Sequence, residues 1–128
     1  MKLPSSGSVA DNFWRDGAIL CEIEPEKGVV TRSVINQGAK LEVIHTNPQT
    51  GNALTGFTLP DYVDANRLVL DAAKLFPGIQ TQAWDVAFTK DGPVLLEVNH
   101  GGDLSLLQMA SGKGVFTGHY RQLVENNL

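Results

Sequence analysis

The sequence predicts an α+β domain in which an antiparallel β-sheet is covered by two to three helices. Short apolar runs separated by turn residues indicate strands, an amphipathic run at 61–76 indicates a helix, and alternating runs at 84–89 and 94–99 enclose a tight turn. The 128 residues suffice for one domain with a buried core. We therefore expect a single α+β domain over residues 11–128, preceded by a flexible lead-in over residues 1–10.

The first half of the chain contains three strand-like segments. Residues 17–24 (GAILCEIE) and 28–35 (GVVTRSVI) are rich in aliphatic residues, and the intervening PEKG sequence has the composition of a turn. Residues 39–45 predict a short third strand. Residues 46–58 are rich in Gly, Asn and Thr, which favours a loop.

A helix follows this loop. Pro60 and Asp61 are typical of a helix start, and Pro77-Gly78 end the periodic pattern. The helix then covers one face of the sheet with one apolar stripe, formed by Tyr62, Ala65, Val69, Ala72, Ala73 and Phe76.

The two alternating runs predict a β-hairpin. The tripeptide Lys90-Asp91-Gly92 lies between them, and its glycine can adopt the left-handed conformation that closes a three-residue loop. Thr89 would then lie opposite Pro93, which places Asp85 opposite Glu97. A two-residue loop would instead shift the register and move Asp85 to the other face.

In this register Asp85, Glu97 and Asn99 share one side of the hairpin, which we call the acidic face. Two facing carboxylates are destabilising unless a positive charge lies between them, and neither strand carries Lys or Arg near this face. Mg²⁺ and Mn²⁺ prefer carboxylate, amide and water oxygens, so the three residues are candidate metal ligands. The alternative is that Glu97 is an exposed edge residue and that Asn99 opens the next turn.

The end of the chain predicts further helices. After a turn at 100–102, Asp103 is a candidate N-cap for a short helix through Met109, and a final helix spans about 115–126. Together with the helix at 61–76, these segments complete the expected α+β domain.

Composition excludes several classes of function. The net charge is −4 and the ten Lys and Arg are scattered, which argues against a duplex nucleic-acid binder. Cys21 is alone, so neither a disulfide framework nor a Cys-based zinc site is expected. Residues 1–10 lack the apolar core of a signal peptide, and no later run has the length of a membrane span. We therefore expect a cytoplasmic protein with no nucleic-acid or membrane partner.

Residues 84–99 (WDVAFTKDGPVLLEVN) resemble the C-terminal metal-binding hairpin of ATP-grasp enzymes through their D-x11-E-x-N spacing. Their amino-acid sequence is most similar to that of the sugar-transfer-associated ATP-grasp branch. The stretches DNFWRDGAILCEIE at 11–24 and NPQTGNALTGFTLPDY at 47–62 precede the hairpin in the same order, and Gln108 follows it. The resemblance covers roughly residues 11–110.

The resemblance implies a fold like the C-terminal subdomain of ATP-grasp enzymes and a site for Mg²⁺ (or Mn²⁺) and ATP. Asp85 and Glu97 would hold one ion, and Glu97 with Asn99 a second. These ions would bridge the terminal phosphates while a substrate carboxylate accepts the γ-phosphoryl group, and the acyl-phosphate would pass to an amine or similar nucleophile. No catalytic residue is assigned.

Arg15 and His100 are candidate nucleotide-binding residues. Arg15, like Arg32, is a cation that could contact phosphate, with an exposed surface charge as the alternative. His100 adjoins Asn99 and could reach a phosphate or the surroundings of the metal, with a polar turn residue as the alternative. His45 and His119 are too dispersed for a metal-ligand motif.

ATP-grasp enzymes hold the nucleotide between two subdomains, and the first supplies a phosphate-binding lysine and the hinge for adenine. The present sequence begins at about the point where that half ends. We therefore expect a non-catalytic module that binds a ligand or self-associates. The alternative is the C-terminal half of an active carboxylate–amine ligase completed by a partner chain, so enzymatic activity stays open.

Self-association is expected because apolar residues accompany the polar ones on the acidic face. Leu95 and Ala87 would lie there, near Phe13 and Trp14, and form an exposed apolar patch. A homo-oligomer would cover this patch, most simply as a two-fold symmetric dimer.

Overall fold

A computed structural model describes residues 1–7 and 15–126 of the chain. The described residues form six strands and three helices. In chain order they are β1 (Lys2–Leu3), β2 (Ile19–Ile23), β3 (Val30–Gln37), β4 (Lys40–Ile44), α1 (Tyr62–Ala73), β5 (Gln82–Thr89), β6 (Gly92–His100), α2 (Leu104–Ser111) and α3 (Gly118–Glu125).

The first four strands form an antiparallel sheet in the order β1-β2-β3-β4. Ile19 lies opposite Ile35 and Leu20 opposite Val34, so adjacent residues of β2 face opposite sides of the sheet. A register shift follows Glu22. Both faces of this sheet are apolar at their centre, and each is covered by a different part of the chain.

The loop between β4 and α1 covers the first face. It contributes the buried Leu54 and Leu59, and the Tyr62 ring packs against the same cluster from the start of α1. The buried members of this cluster are Ile19, Cys21, Val30, Ile35, Leu54 and Leu59. The segment predicted as a loop therefore covers the sheet and contributes to the hydrophobic core.

Helix α2 covers the second face. Ala110 packs there with Leu20 and Val34 in a second buried cluster. The half-buried Arg32 donates from Nη1 to the carbonyl oxygens of Met109, at 2.8 Å, and Ala110. These are carbonyls of the last turn of α2, where a cation is favoured by the helix dipole. Arg32 therefore fixes α2 on the sheet, and this contact accounts for the arginine that the sequence offered as a phosphate ligand.

Helix α1 packs mainly against the β5–β6 hairpin. The Gln82 side chain joins the two, because its Nε2 donates to the carbonyls of Ala73 (3.3 Å), Phe76 (3.2 Å) and Ile79 (2.9 Å). Its Oε1 accepts from Trp84 Nε1 at 3.1 Å. One amide therefore satisfies several carbonyls at the end of α1 and secures the start of β5.

The α+β class with antiparallel strands and three helices is confirmed. In the described residues the strands form two sheets, since β5 and β6 pair with each other apart from the other four. The expected lead-in needs correction at Lys2–Leu3, which pair with β2. Residues 8–10 lie outside the described part. Of the helices that the structure describes, none has both the length and the apolar composition needed to span a membrane.

The turn before β3 depends on Gly28, and substitution of this residue tests its contact with Tyr62. Gly28 has φ +69°, and a Cβ there would overlap the Tyr62 ring. Gly38 has φ +65° with open space around it. We expect Gly38→Ala to lower the free energy of unfolding by about 1–2 kcal/mol, because alanine is disfavoured in the left-handed conformation. Gly28→Ala should cost about 1–3 kcal/mol more because it also overpacks the ring.

Urea unfolding of the two variants and the parent chain measures this difference. Equal losses in the free energy of unfolding would contradict the contact between Gly28 and Tyr62.

Candidate functional site

The β5–β6 hairpin closes through a two-residue loop, because Thr89 pairs with Gly92. The predicted three-residue loop was therefore wrong. The pairs from Thr89 with Gly92 to Val86 with Leu95 keep a regular antiparallel register, and a β-bulge then interrupts the ladder. The next pair is Asp85 with Glu97, which leaves Leu96 as the extra residue. The predicted pairing of Asp85 with Glu97 is confirmed, and the bulge is its cause.

The bulge also changes which apolar residues accompany the acidic ones. Leu95 pairs with Val86, so it lies on the opposite face from Asp85, contrary to the prediction. Val94 takes its place, since it pairs with Ala87 on the same side as Asp85. Phe13 and Trp14, the other members of the expected patch, lie outside the described residues.

The acidic face brings its three predicted members together. Asp85 is half-buried, whereas Glu97 and Asn99 are exposed. Asn99 Nδ2 donates to Glu97 Oε1 at 2.9 Å, which leaves the amide oxygen as an acceptor. Directly paired residues have Cβ atoms about 5 Å apart, so the carboxylates of Asp85 and Glu97 can reach a common ligand. Within the described part of the chain, neither carboxylate takes part in an ion pair.

The donor set of this face is small. Among the residues that the structure describes, no group of three or more His, Cys, Asp or Glu side chains is placed to hold a metal ion. The acidic face therefore offers two carboxylates and one amide. Mg²⁺ is commonly held by one or two carboxylates together with waters and substrate phosphates, so this set fits a cation that arrives with a phosphate ligand.

A glycine turn borders the acidic face. Gly102 has φ +56°, and a Cβ there would lie 2.7 Å from the Cβ of Ala83, the strand partner of Asn99. This close approach brings the start of α2 beside the site. Asp103 caps α2 as predicted, since its Oδ1 accepts from the backbone N–H of Ser105 at 3.0 Å.

The hydrogen bond from the Ser105 hydroxyl lowers the pKa of Asp103 below its ordinary value, outweighing the opposing effect of desolvation. The backbone N–H groups of Ser105 and Leu106 act in the same direction as the hydroxyl. Asp103 is therefore held as a carboxylate in its capping role.

An open groove of about 1300 Å³ lies between the hairpin and the β1–β2 end of the four-stranded sheet. The whole acidic face lines it, together with the glycine turn and Lys2. A ligand in this groove can contact carboxylates, an amide, a lysine and the glycine turn.

The two predicted nucleotide-binding residues lie apart from the acidic face. His100 lines the groove, but it pairs with Gln82, which places it on the alternate side of β6 from Asn99. Arg15 is exposed in the bend before β2, and the groove lining within the described residues does not include it. Contact of either residue with a phosphate stays a prediction.

Sequence reasoning missed two polar residues beside the site. Lys2 belongs to a segment that was expected to be a lead-in, and its pairing with Leu20 has no local signal in so short a strand. Gln82 precedes the recognisable hairpin motif, and its bonds to the end of α1 are set by tertiary packing. The alternation of Gln82 with Trp84 was the one available hint that it belongs to β5.

Comparison with known proteins gives one match. A family described as sugar-transfer associated ATP-grasp matches residues 1–124. No curated protein and no solved structure matches the chain. The family match covers nearly the whole chain, including the acidic face and the groove.

Asp103 provides a pH test of the turn beside the site. Its lowered pKa means that its carboxylate stabilises α2 above the ordinary pKa of an aspartate, and that this stabilisation is lost as the pH falls through the lower, folded value. Asp103→Asn keeps a capping oxygen but cannot ionise. We expect the parent chain to be more stable than the variant near pH 6, and this advantage to disappear on acidification below the folded pKa of Asp103.

Urea unfolding of both chains across this pH range measures the difference, and carboxylates common to both cancel from it. A stability difference that stays constant with pH would contradict the role of the ionised carboxylate.

Proposed function

Because the chain belongs to the sugar-transfer associated ATP-grasp family, we propose that its acidic face binds a divalent cation together with the terminal phosphates of ATP. The observation that carries this proposal is the pairing of Asp85 with Glu97, with Asn99 hydrogen-bonded to Glu97 on the same face. The family supplies the chemical context, and the geometry of these three residues supplies the site.

Electrostatics supports a cation at this position. Asp85 and Glu97 face each other with no ion-pair partner among the described residues, which is unfavourable for two ionised carboxylates. A divalent cation held by both would replace this repulsion with attraction. The donors are all hard oxygens, which favours Mg²⁺ or Mn²⁺ over metals that prefer sulfur or imidazole.

The remaining coordination positions suit phosphate oxygens and water. Two carboxylates and one amide leave an octahedral ion incomplete, and the groove beside it has room for a nucleotide phosphate chain. Lys2 and Gly102 line the same groove, and the lysine ammonium and the Gly102 N–H group can contact an anion. A bound cation would neutralise phosphate charge, while the residues of this chain hold and orient the complex.

We propose binding without turnover as the activity of the chain by itself, because the residues assigned to the site hold the cation and phosphates and none of them acts on a carboxylate substrate. A second candidate is the C-terminal half of an active carboxylate–amine ligase completed by a partner chain. Leu96 and Leu107, which are 66% and 57% exposed and line the groove, favour it because a covering domain would bury them.

Metal binding tests the acidic face directly. Mn²⁺ is paramagnetic and broadens the NMR signals of nearby backbone amides, so titration with Mn²⁺ locates the ion. We expect the strongest broadening at Asp85, Glu97 and Asn99. Asp85→Asn and Glu97→Gln should each weaken Mn²⁺ binding by roughly tenfold or more, since each removes one charged ligand at a cost of about 1.4 kcal/mol or more.

Asp91→Asn is the matched control, because Asp91 is an exposed carboxylate in the loop of the same hairpin. It should leave Mn²⁺ affinity unchanged. Broadening centred on Asp91, or equal affinity in all variants, would refute the proposed site.

Nucleotide affinity tests the second part of the proposal. The contacts assigned here reach the cation and the phosphates, so we expect the chain to bind MgATP with a Kd of about 1 mM or weaker, equivalent to roughly 4 kcal/mol. Isothermal titration calorimetry with and without Mg²⁺ measures this, and binding should require the ion. Micromolar affinity would contradict a site limited to cation and phosphates and would indicate a complete nucleotide site, such as one shared across a dimer.

A further inference from the structure

Strand β4 ends the four-stranded sheet and carries apolar side chains exposed to solvent. In the described residues it pairs with β3 alone. Leu41 and Val43 are 45% and 48% exposed, although they lie on the same side of the sheet as the buried Val34. Lys40 and Glu42 alternate with them and are also exposed. An edge strand of this kind can pair with another strand.

The β3–β4 hairpin determines which backbone groups of β4 remain free. Its two-residue loop has Gly38 at φ +65°, and Gln37 pairs with Lys40. Residues that flank a two-residue loop exchange hydrogen bonds, and such pairs alternate along an antiparallel ladder. Lys40 and Glu42 therefore direct their backbone groups toward β3, whereas Leu41 and Val43 direct theirs outward. No described backbone group bonds to Leu41 or Val43 from that side.

We propose that a second copy of this chain pairs with β4 in antiparallel orientation, centred on Leu41. In this register Leu41 lies opposite Leu41 of the second copy and exchanges both backbone hydrogen bonds with it. Lys40 of each copy then lies opposite Glu42 of the other. Two-fold symmetry repeats this pair of opposite charges, so one patch closes the dimer.

Charge selects this register over its neighbours. Centring the pair on Glu42 would place the two Glu42 carboxylates opposite each other, which is destabilising. Centring it on Val43 would place Glu42 opposite Ile44 and leave its charge without a partner. Of the registers centred on Leu41, Glu42 and Val43, the one centred on Leu41 is thus the one that pairs Lys40 with Glu42.

The proposed dimer extends the sheet and does not depend on the proposed ATP site. The groove lies at the β1–β2 end, and the residues that line it come from other segments than β4. The pair is short and buries little surface, which is typical of a weak association. Dimerisation and metal binding can therefore be tested separately.

Charge reversal tests the pairing. Sedimentation equilibrium of the parent chain should show a mass that rises with concentration from 13.8 kDa toward twice that value. Lys40→Glu and Glu42→Lys each place like charges opposite each other twice, and each should weaken the dimer by about tenfold or more. The double variant K40E/E42K restores opposite charges and should restore the dimer. A parent chain that stays monomeric at millimolar concentration, or a double variant no better than the singles, overturns the proposal.

Cysteine cross-linking tests the register. Leu41→Cys should form a disulfide-linked dimer on mild oxidation, because directly paired Cα atoms lie about 5.5 Å apart. Val43→Cys should not, because the two Val43 positions are offset by four residues, roughly 14 Å along the strands. The parent chain is the control for Cys21, which is 2% exposed. Cross-linking through Val43→Cys in preference to Leu41→Cys overturns the register.

Discussion

The β-bulge at Leu96 controls the relation between the two strands that carry the acidic face. The hairpin loop is one residue shorter than expected, and a regular ladder from that loop would pair Asp85 with Leu96 and Trp84 with Glu97. The two carboxylates would then project from opposite faces. Because Leu96 is left out of the ladder, Glu97 lies opposite Asp85, and the apolar residues nearer the loop keep their regular pairing. The acidic face therefore depends on that extra residue.

Helices α1 and α2 are fixed by polar side chains at their carboxyl ends as well as by apolar packing. Arg32 supplies a donor to last-turn carbonyls of α2, and Gln82 adds a donor to carbonyls at and after the end of α1. Both contacts are made from strands, so they set how each helix lies on its sheet. This matters for the site, because α2 starts at the turn beside the acidic face and Gln82 begins the strand of Asp85.

The acidic face and the groove together suit one kind of ligand. The face has few metal-ligating groups and the groove is open, so we expect neither to bind a bare ion or a bare nucleotide tightly. The proposed complex of a cation with phosphates would suit both, since Asp85 and Glu97 would hold the cation and the groove has room for the phosphates. The exposed leucines around the groove add apolar surface that a covering chain or domain can bury. These features agree with a domain that works by positioning a charged ligand.

The element types and the members of the acidic face could be predicted from the amino-acid sequence. Alternation identified the hairpin, the apolar stripe identified α1, and Asp103 was recognised as the cap of α2, because these signals are local in the chain. The pairing of Asp85 with Glu97 was also correct. The predicted hairpin loop was one residue too long. The bulge adds one residue to β6, so the pairing beyond it is the one that the longer loop would have given.

The features that join distant segments follow from tertiary packing and could not be predicted. The division of the strands into two sheets, the bonds of Arg32 to α2 and the position of Lys2 beside the groove involve residues far apart in the chain. The place of the bulge is also a tertiary outcome, and it moved Leu95 to the face opposite Asp85. Periodicity and turn chemistry report local backbone preference, whereas these contacts depend on which surfaces meet when the chain is folded.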